Sequence, residues 1–218
     1  RRIGAAIATR LHAAGYHVVV HCHHSIDEAQ VLTDSLNQLR PSSACVLQAD
    51  LCHQVEAEQL IAKAYAWQGR LDVLINNASV FIKTPLNQAY DASIWDKLYT
   101  THVKAPFWLS MAARDYLKAS KQGSIVNITD IHATKPLKHY LAYTQSKAAL
   151  KQQTEQLAIE FAPEIRVNAV APGAIIFPEG DNALDEEKKS KILSQIPLNK
   201  WGSPHTVSEA VLSLVTNV

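Results

Sequence analysis

Cysteine is scarce in this chain, and its three copies form no recognisable pattern. Cys22, Cys45 and Cys52 are odd in number, widely spaced and without a Cys-x-x-Cys pair. A protein that depends on disulfides normally carries an even set of cysteines at regular spacings. We therefore expect no disulfide framework and a reducing compartment, which favours a cytoplasmic location.

An excess of one charge and long apolar runs are also missing. The formal net charge is +1, which gives no electrostatic reason to expect binding to nucleic acid or to a membrane surface. No apolar run approaches the roughly 18 residues of a membrane-spanning helix, and no signal peptide is visible. We expect a small-molecule substrate, with neither nucleic acid nor membrane as a partner.

Short apolar runs alternate with helical patterns along the 218 residues, without an internal repeat or a linker. Such alternation predicts an α/β fold, a Rossmann-like doubly wound parallel sheet that helices cover on both faces. A chain of this length buries a substantial core as one domain. We predict strands at 17–22, 44–48, 71–75, 124–129 and 165–170, and helices at 3–14, 25–39, 54–67, 92–118, 143–162, 184–195 and 206–215.

The helix predicted to begin at Tyr143 carries a phenol and an amine on one face. Tyr143 and Lys147 are four residues apart, which places them one turn apart. A neighbouring ammonium favours the phenolate, so we expect Lys147 to lower the pKa of the phenol and make it a usable proton donor. Asp130 follows the apolar run 124–129, at a strand end where open α/β sheets bind ligands. Taken alone, the Tyr-x-x-x-Lys spacing also fits a surface pair with no function.

Tyr-x-x-x-Lys with a polar residue thirteen positions upstream resembles the short-chain dehydrogenase/reductase family. The family usually has serine at that upstream position, and Asp130 is similar to the pteridine reductase branch. The resemblance implies that Asp130, Tyr143 and Lys147 are catalytic. It also implies a homotetramer that packs through the helices predicted at 92–118 and 143–162.

The family's sheet has one more strand at its beginning and one more at its end than the pattern found here. By that resemblance we predict that residues 1–218 are a single NADP-binding domain, as a fragment without the first and last strands. Arg1-Arg-Ile-Gly4 resembles the tail of the family's glycine-rich turn, where helix N-terminal amides hold a pyrophosphate.

The end of the strand at 17–22 indicates which nicotinamide cofactor binds. NAD enzymes usually place a carboxylate there, whereas this chain has His21-Cys-His-His-Ser25 and no acid before Asp27. Imidazole donors and a helix N-terminus accept a 2′-phosphate that a carboxylate would repel, so the pattern favours NADPH. By resemblance, His24 and Ser25, with His23, contact that phosphate. A metal site at His21 and His23 is disfavoured because no third ligand follows at a standard spacing.

Further family motifs follow in order along the chain. Asp50-Leu51 resembles the pair that binds adenine, although Asp50 also suits a helix cap. Asn76-Asn-Ala-Ser79 resembles the family's Asn-Asn-Ala-Gly, and Pro172-Gly173 resembles the turn beside the nicotinamide carboxamide; both also fit plain turns. The predicted cofactor-binding residues are Arg2, Ile3, His23, His24, Ser25, Asp50, Leu51, Asn77, Ala78, Ser79, Lys147, Pro172 and Gly173.

Phe81 and His102 refine the prediction. Asn-Ala-Ser-Val-Phe81 resembles the pteridine reductase Asn-Ala-Ser-x-Phe, whose ring stacks on the pterin, although a core phenylalanine is the simpler alternative. His102 stands where the family has a catalytic asparagine, which suggests the bacterial dihydromonapterin reductase type. The predicted substrate residues are Phe81, Asp130 and Tyr143, and a polar helix from 184 is expected to cover the substrate.

The resemblance implies an NADPH-dependent pteridine reductase that reduces a dihydropterin or dihydrofolate to its tetrahydro form, with Tyr143 as proton donor and no metal. A carbonyl reductase of the same family, such as a 3-oxoacyl-acyl-carrier-protein reductase, is one alternative. A non-catalytic regulator that binds NADPH is another.

Overall fold

The computed structural model describes residues 2–86, 89, 91–175 and 185–217. Strands and helices alternate along the chain, as predicted. The strands are β1 Val18–Cys22, β2 Ala44–Gln48, β3 Val73–Asn76, β4 Gly123–Ile128 and β5 Ile165–Val170. The helices are α1 Arg2–Ala13, α2 Ile26–Leu39, α3 Gln54–Gln68, α4 Ala92–Tyr99, α5 Ala105–Ser120, α6 Leu141–Glu160, α7 Glu186–Ser194 and α8 Pro204–Thr216.

All described strand pairs are parallel, which confirms the predicted fold class. β1 pairs with β2, and β3, β4 and β5 form a second ladder in that order. The strands that were predicted to form one sheet therefore form two separate parallel ladders in the described part of the chain. Their facing strands, β1 and β3, line a cavity of about 670 Å³ together with α1.

Two apolar clusters cover the larger ladder on opposite sides. One is formed by α3, α5 and the strands they cover, and includes Leu117 and Ile125, both fully buried. The other joins α1 and α8 to β4, with Val126 and Val211 at its centre. β4 is buried at every position because helices pack on both of its faces.

A chain of buried amides fixes the ends of the central strands. Asn76 donates from its Nδ2 to Asn127 Oδ1 at 2.8 Å, and Asn127 donates from its Nδ2 to Thr154 Oγ1 on α6, also at 2.8 Å. These buried hydrogen bonds join β3, β4 and α6 just before the strands end. Residues that follow the strands are therefore held in register with the helix that carries Tyr143.

Several local sequence signals correspond to the observed ends of elements. Gly69 ends α3 in the left-handed conformation, with φ of 65°, and Gly15 follows α1 with φ of 98°. The pattern Ser25-x-x-Glu28 predicts a capping box at the start of α2, and this prediction is wrong, because the Ser25 side chain makes no capping hydrogen bond to the helix. The helix predicted at 184–195 is present as α7 from Glu186, and Leu184 lies outside the described residues.

The predicted continuous helix at 92–118 is interrupted. α4 ends at Tyr99, and a π-helix, Thr100–Lys104, leads into α5. The wider π turn carries His102, which is buried between neighbouring segments.

None of the helices in the described part of the chain is both long enough and apolar enough to cross a membrane.

Candidate active site

The carboxyl ends of the parallel strands gather the predicted site residues along one edge of the fold. The register pairs Asn76 with Asn127 and Asn127 with Ala169, so the segments after β3, β4 and β5 leave side by side. The Ile131 N–H donates to the Pro172 carbonyl at 3.1 Å, which joins the segments after β4 and β5. This edge is where open α/β sheets bind their ligands.

The central contact of the site joins Asp130 to Tyr143. The Tyr143 hydroxyl donates to Asp130 Oδ2 at 2.7 Å. The other carboxylate oxygen, Oδ1, accepts from the His132 N–H at 2.8 Å, which fixes the orientation of the carboxylate. Asp130 is half-buried and Tyr143 is buried, so the contact is largely shielded from solvent.

The pKa of the Tyr143 phenol is raised, which is opposite to the direction predicted from Lys147. Burial is the largest cause, followed by the charge of Asp130 and the hydrogen bond to it. An ionised phenolate would lose hydration and would face a carboxylate, so the neutral phenol is favoured. The prediction is wrong because the Lys147 Nζ donates instead to the Ile128 carbonyl, at 2.9 Å.

Lys147 is an amine held in a buried environment. Its side chain is 2% exposed, and burial lowers its pKa to about 8, while the charge of Asp130 acts in the opposite direction. The amine therefore keeps most of its positive charge at neutral pH. It lies one turn after Tyr143 on α6, as the spacing predicted.

Aromatic rings surround the phenol. Phe81 stacks on Tyr140 with ring centroids 4.3 Å apart, and it meets Tyr143 edge-on at 4.8 Å. Phe81 is half-buried in a cluster with Leu98, Tyr140 and Tyr143. The structure thus places Phe81 directly beside Tyr143. The stacking of Tyr140 was not predicted from the sequence.

His102 contacts two sides of the site. Its Nε2 lies 2.9 Å from Ser79 Oγ and 3.2 Å from the Val80 N, and its Nδ1 lies 2.8 Å from Ser146 Oγ. Burial, and then the charge of Lys147, lower the pKa of His102 to about 2. Ser146 was missed in the sequence, where its only signal is its place next to Lys147 and three residues after Tyr143.

The N-terminus of α1 lies against the end of β3. A side chain at Gly4 would approach Asn77 Nδ2 to 2.8 Å, so glycine allows this close approach. Ile3 is half-buried, and Arg2 is exposed at the first position of α1. No acidic residue lies in the first turn of α1, so the helix amides present an uncompensated partial positive charge.

The ends of β1 and β2 bring the predicted phosphate and adenine residues together. His23 and His24 are exposed and stack with ring centroids 3.6 Å apart, just before Ser25. Asp50 Oδ2 lies 3.7 Å from His23 Nε2, and Asp50 Oδ1 accepts from the Cys52 N–H at 2.9 Å. That backbone hydrogen bond is the largest cause of the lowered pKa of Asp50.

A metal site in this part of the protein has no structural support. His21 turns away from the exposed pair, and its Nε2 lies 2.9 Å from the Ala49 carbonyl oxygen. Within 2–86, 89, 91–175 and 185–217, no group of three or more histidine, cysteine or acidic side chains is arranged to hold a metal ion.

The remaining predicted residues differ in exposure. Ala78, Ser79 and Gly173 are exposed, Pro172 is half-buried, and Leu51 is buried. A Cβ on Gly173 would make only ordinary contacts of 3.6 Å with Ile131. Packing within the protein therefore does not explain the glycine at this position.

Comparison with known proteins identifies the family. The model described as "Enoyl-(Acyl carrier protein) reductase" matches residues 1–218, the whole chain. The chain belongs to the short-chain dehydrogenase/reductase family. It is accordingly an oxidoreductase of that family.

Individual relatives of this reductase carry different activities in their names. The chain is 34% identical to pteridine reductase 1 of Leishmania tarentolae, over 98% of this chain and 86% of that protein. It is 33% identical to the granaticin polyketide synthase putative ketoacyl reductase 2 of Streptomyces violaceoruber, over 98% and 85% of the two chains.

A solved structure supports the same branch of the family as the Leishmania pteridine reductase does. The crystal structure of FolM alternative dihydrofolate reductase 1 from Brucella canis, complexed with NADP, has a TM-score of 0.88 and 34% identity. The match covers 100% of this chain and 84% of that one. The resemblance to the pteridine reductase branch, predicted from Asp130 and Phe81, is confirmed.

The first prediction concerns the charge on residue 130 of this reductase. Asp130→Asn should lower the pKa of Tyr143, because it removes the facing charge while leaving burial, the largest cause of the raised pKa, in place. The pKa should therefore remain above that of an exposed tyrosine. Tyrosinate absorbance measured against pH would detect the change, with circular dichroism to confirm that the protein stays folded.

Subtracting the titration of the Asp130→Asn, Tyr143→Phe double variant isolates the signal of Tyr143. If ionisation begins at the same pH with aspartate and with asparagine, the carboxylate does not control the phenol.

Proposed function

We propose that this reductase is an NADPH-dependent pteridine reductase, which reduces a dihydropterin or dihydrofolate to the tetrahydro form. The observation that carries the proposal is the hydrogen bond from the Tyr143 hydroxyl to Asp130. An ionised carboxylate only accepts hydrogen bonds, so it suits a heterocycle with N–H and amino donors. The relatives named pteridine reductase and alternative dihydrofolate reductase support the same substrate class.

The reaction adds a hydride and a proton across a ring C=N bond, and bound NADPH supplies the hydride. Tyr143 delivers the proton to the ring nitrogen, and Asp130 accepts from the amino-pyrimidine side of the substrate. Lys147 contributes a positive charge beneath the site and reaches the nicotinamide ribose. The charge of Asp130 raises the pKa values of both Tyr143 and Lys147, so the protonation of these two groups depends on the same carboxylate.

Phe81 is proposed to stack on the pterin. One face of its ring is covered by Tyr140 at 4.3 Å, so the substrate would stack on the opposite face. The edge-on contact with Tyr143 would place the stacked heterocycle within reach of the phenol.

The residues at the cofactor end fit NADPH. The α1 N-terminus, free of acidic residues in its first turn, suits a pyrophosphate next to Arg2 and Ile3. A 2′-phosphate would fit at the N-terminus of α2, beside His23, His24 and Ser25, whose side chain makes no capping hydrogen bond to the helix.

The other predicted cofactor residues suit the remaining parts of NADPH. Asp50 and Leu51 would bind the adenine, and Asn77, Ala78 and Ser79 the adjoining ribose. Pro172 and Gly173 would lie beside the nicotinamide carboxamide, where Gly173 leaves room for a close approach.

A carbonyl reductase is the second candidate, because a ketoacyl reductase is also among the relatives. A ketone oxygen needs a hydrogen-bond donor on each side, and Asp130 offers an acceptor there unless it is protonated. The site geometry therefore favours the pterin over a 3-oxoacyl substrate. A regulator that binds NADPH without turnover would show no oxidation with either class.

NADPH oxidation with dihydrobiopterin, dihydromonapterin, dihydrofolate and an acetoacetyl thioester tests the proposal. We expect turnover with at least one pterin or folate and little with the thioester. Preference for the thioester would establish the carbonyl reductase instead, and inactivity with all four would favour the regulator.

Tyr143→Phe should reduce turnover by about 10²-fold or more while NADPH still binds, because the ring remains and only the proton donor is lost. Tyr116→Phe is the matched control, since Tyr116 stacks on Tyr65 at 4.2 Å in another part of the fold. Turnover by Tyr143→Phe equal to that of the control would remove Tyr143 from the chemistry.

His24→Asp should weaken NADPH binding by about 10-fold or more relative to NADH. The reason is that a hydrogen bond to a charged group, roughly 1.5–3 kcal/mol, is replaced by repulsion of the 2′-phosphate. Dissociation constants for both cofactors give the ratio, with His205→Asp on the exposed start of α8 as control. An unchanged ratio would place the 2′-phosphate elsewhere.

We also propose a homotetramer in the cytoplasm. Phe107 and Met111 on α5 are 43% and 40% exposed, and Ile159 on α6 is 74% exposed. These apolar side chains lie on the two helices for which subunit packing was predicted.

A further inference from the structure

The histidine at the centre of the π-helix is buried, and both of its ring nitrogens have partners. His102 is 1% exposed. Its Nε2 meets the Ser79–Val80 segment after β3, and its Nδ1 meets Ser146 on α6. These two segments carry different parts of the site, because one leads to Phe81 and the other holds Tyr143 and Lys147.

The partners of His102 determine which nitrogen carries the proton. The Val80 backbone N–H can only donate, and it points at Nε2 from 3.2 Å. Nε2 must therefore present its lone pair, which puts the ring proton on Nδ1. The Ser79 hydroxyl, 2.9 Å from the same nitrogen, then donates as well.

The rest of the chain of hydrogen bonds agrees with this tautomer. The Nδ1–H donates to Ser146 Oγ at 2.8 Å, and the Ser146 hydroxyl donates to the Tyr143 backbone carbonyl at 2.8 Å. Every hydrogen bond in this series therefore has a fixed donor and a fixed acceptor. A proton could pass through His102 only if Nε2 became protonated, and the Val80 N–H would then have to stop donating to it.

The surroundings also oppose a charged imidazole. A second proton on His102 would sit on Nε2 and face the Val80 N–H, so two donors would oppose each other. The nearby ammonium of Lys147 and burial both disfavour the cation, and the pKa of His102 falls to about 2. The ring of Tyr143 stands nearly at right angles to His102, with centroids 5.5 Å apart, and it carries no negative charge to balance an imidazolium.

We infer that His102 is a positioning residue, a neutral Nδ1–H imidazole that joins the Ser79–Phe81 segment to α6 and does not relay protons. The inference rests on the proposed function for what the two joined segments bind, namely the cofactor and the pterin. The width of the ring is essential, because its two nitrogens contact both segments at once. An asparagine side chain is shorter and reaches only one of them.

Nitrogen NMR of the full-length chain labelled with ¹⁵N-histidine tests the tautomer directly, with and without NADPH. We expect one histidine to keep the neutral Nδ1–H signature from about pH 5.5 to about pH 9, and His102→Asn would assign it by its loss. A signal that titrates in this range, or that shows the Nε2–H tautomer, overturns the inference. This measurement needs no pterin, so it stands apart from a failure of the proposed function.

Kinetics of His102→Asn and His102→Gln test the positioning role. We expect each variant to raise the KM for NADPH and for the pterin by about 10-fold, since each keeps one contact and loses another worth roughly 1–1.5 kcal/mol. We expect a smaller change in kcat, and a plot of kcat/KM against pH with unchanged shape. If His102 relayed protons, the variants would instead lower kcat with KM unchanged, and one limb of the kcat/KM profile against pH would disappear. That result would overturn the inference.

Ser146→Ala provides a third measurement, which tests the same connection if the His102 variants fold poorly. It removes the acceptor of the Nδ1–H but leaves the Nε2 contacts in place. The same rise in KM, smaller in size, supports a connection through His102. Wild-type KM values for both ligands would contradict it.

Discussion

The hydrogen bond from Tyr143 to Asp130 is the interaction on which the chemistry of this site depends. Its position is set by the fold, because Asp130 follows the fully buried strand β4 and Tyr143 lies on the helix that packs beside it. The second oxygen of Asp130 is held by a backbone N–H, so the carboxylate cannot turn away. An ionised carboxylate held in this way only accepts hydrogen bonds, which is why the proposed substrate is one that brings its own donors.

The same carboxylate influences the pKa values of both Tyr143 and Lys147. Burial raises the pKa of Tyr143 and lowers the pKa of Lys147, so it favours the neutral form of both groups. The negative charge of Asp130 raises the pKa of Tyr143 further. It also opposes the effect of burial on Lys147, whose pKa is about 8. The site therefore holds a neutral phenol hydrogen-bonded to the carboxylate, and an amine on which the charge of that carboxylate acts.

The sequence predicted most of this arrangement, since it depends on local patterns. The strands at 44–48 and 165–170 have the predicted bounds, and the spacing from Asp130 to Tyr143 brought the two side chains together. Three features were not predictable in this way. The direction of the Lys147 amine depends on a carbonyl nineteen residues away. Whether Ser25 caps α2 depends on its own backbone angles, which do not follow from the sequence pattern. The π-helix at Thr100–Lys104 differs from an α-helix in its backbone hydrogen bonds over a single turn, which is too short a stretch for apolar spacing to distinguish the two.

Asp130 and His102 both depart from the family pattern, and the structure gives a physical reason to consider them together. Asp130 holds the hydroxyl of Tyr143, while His102 reaches the backbone carbonyl of the same residue through Ser146. With a carboxylate at its hydroxyl, the phenol already has a proton partner. Under the proposed function a relay through position 102 would then be unnecessary, and a neutral imidazole could fill that position. A ring that does not relay protons can still hold the two segments at a fixed separation, which is what the proposed substrate, a flat heterocycle stacked on Phe81, would require.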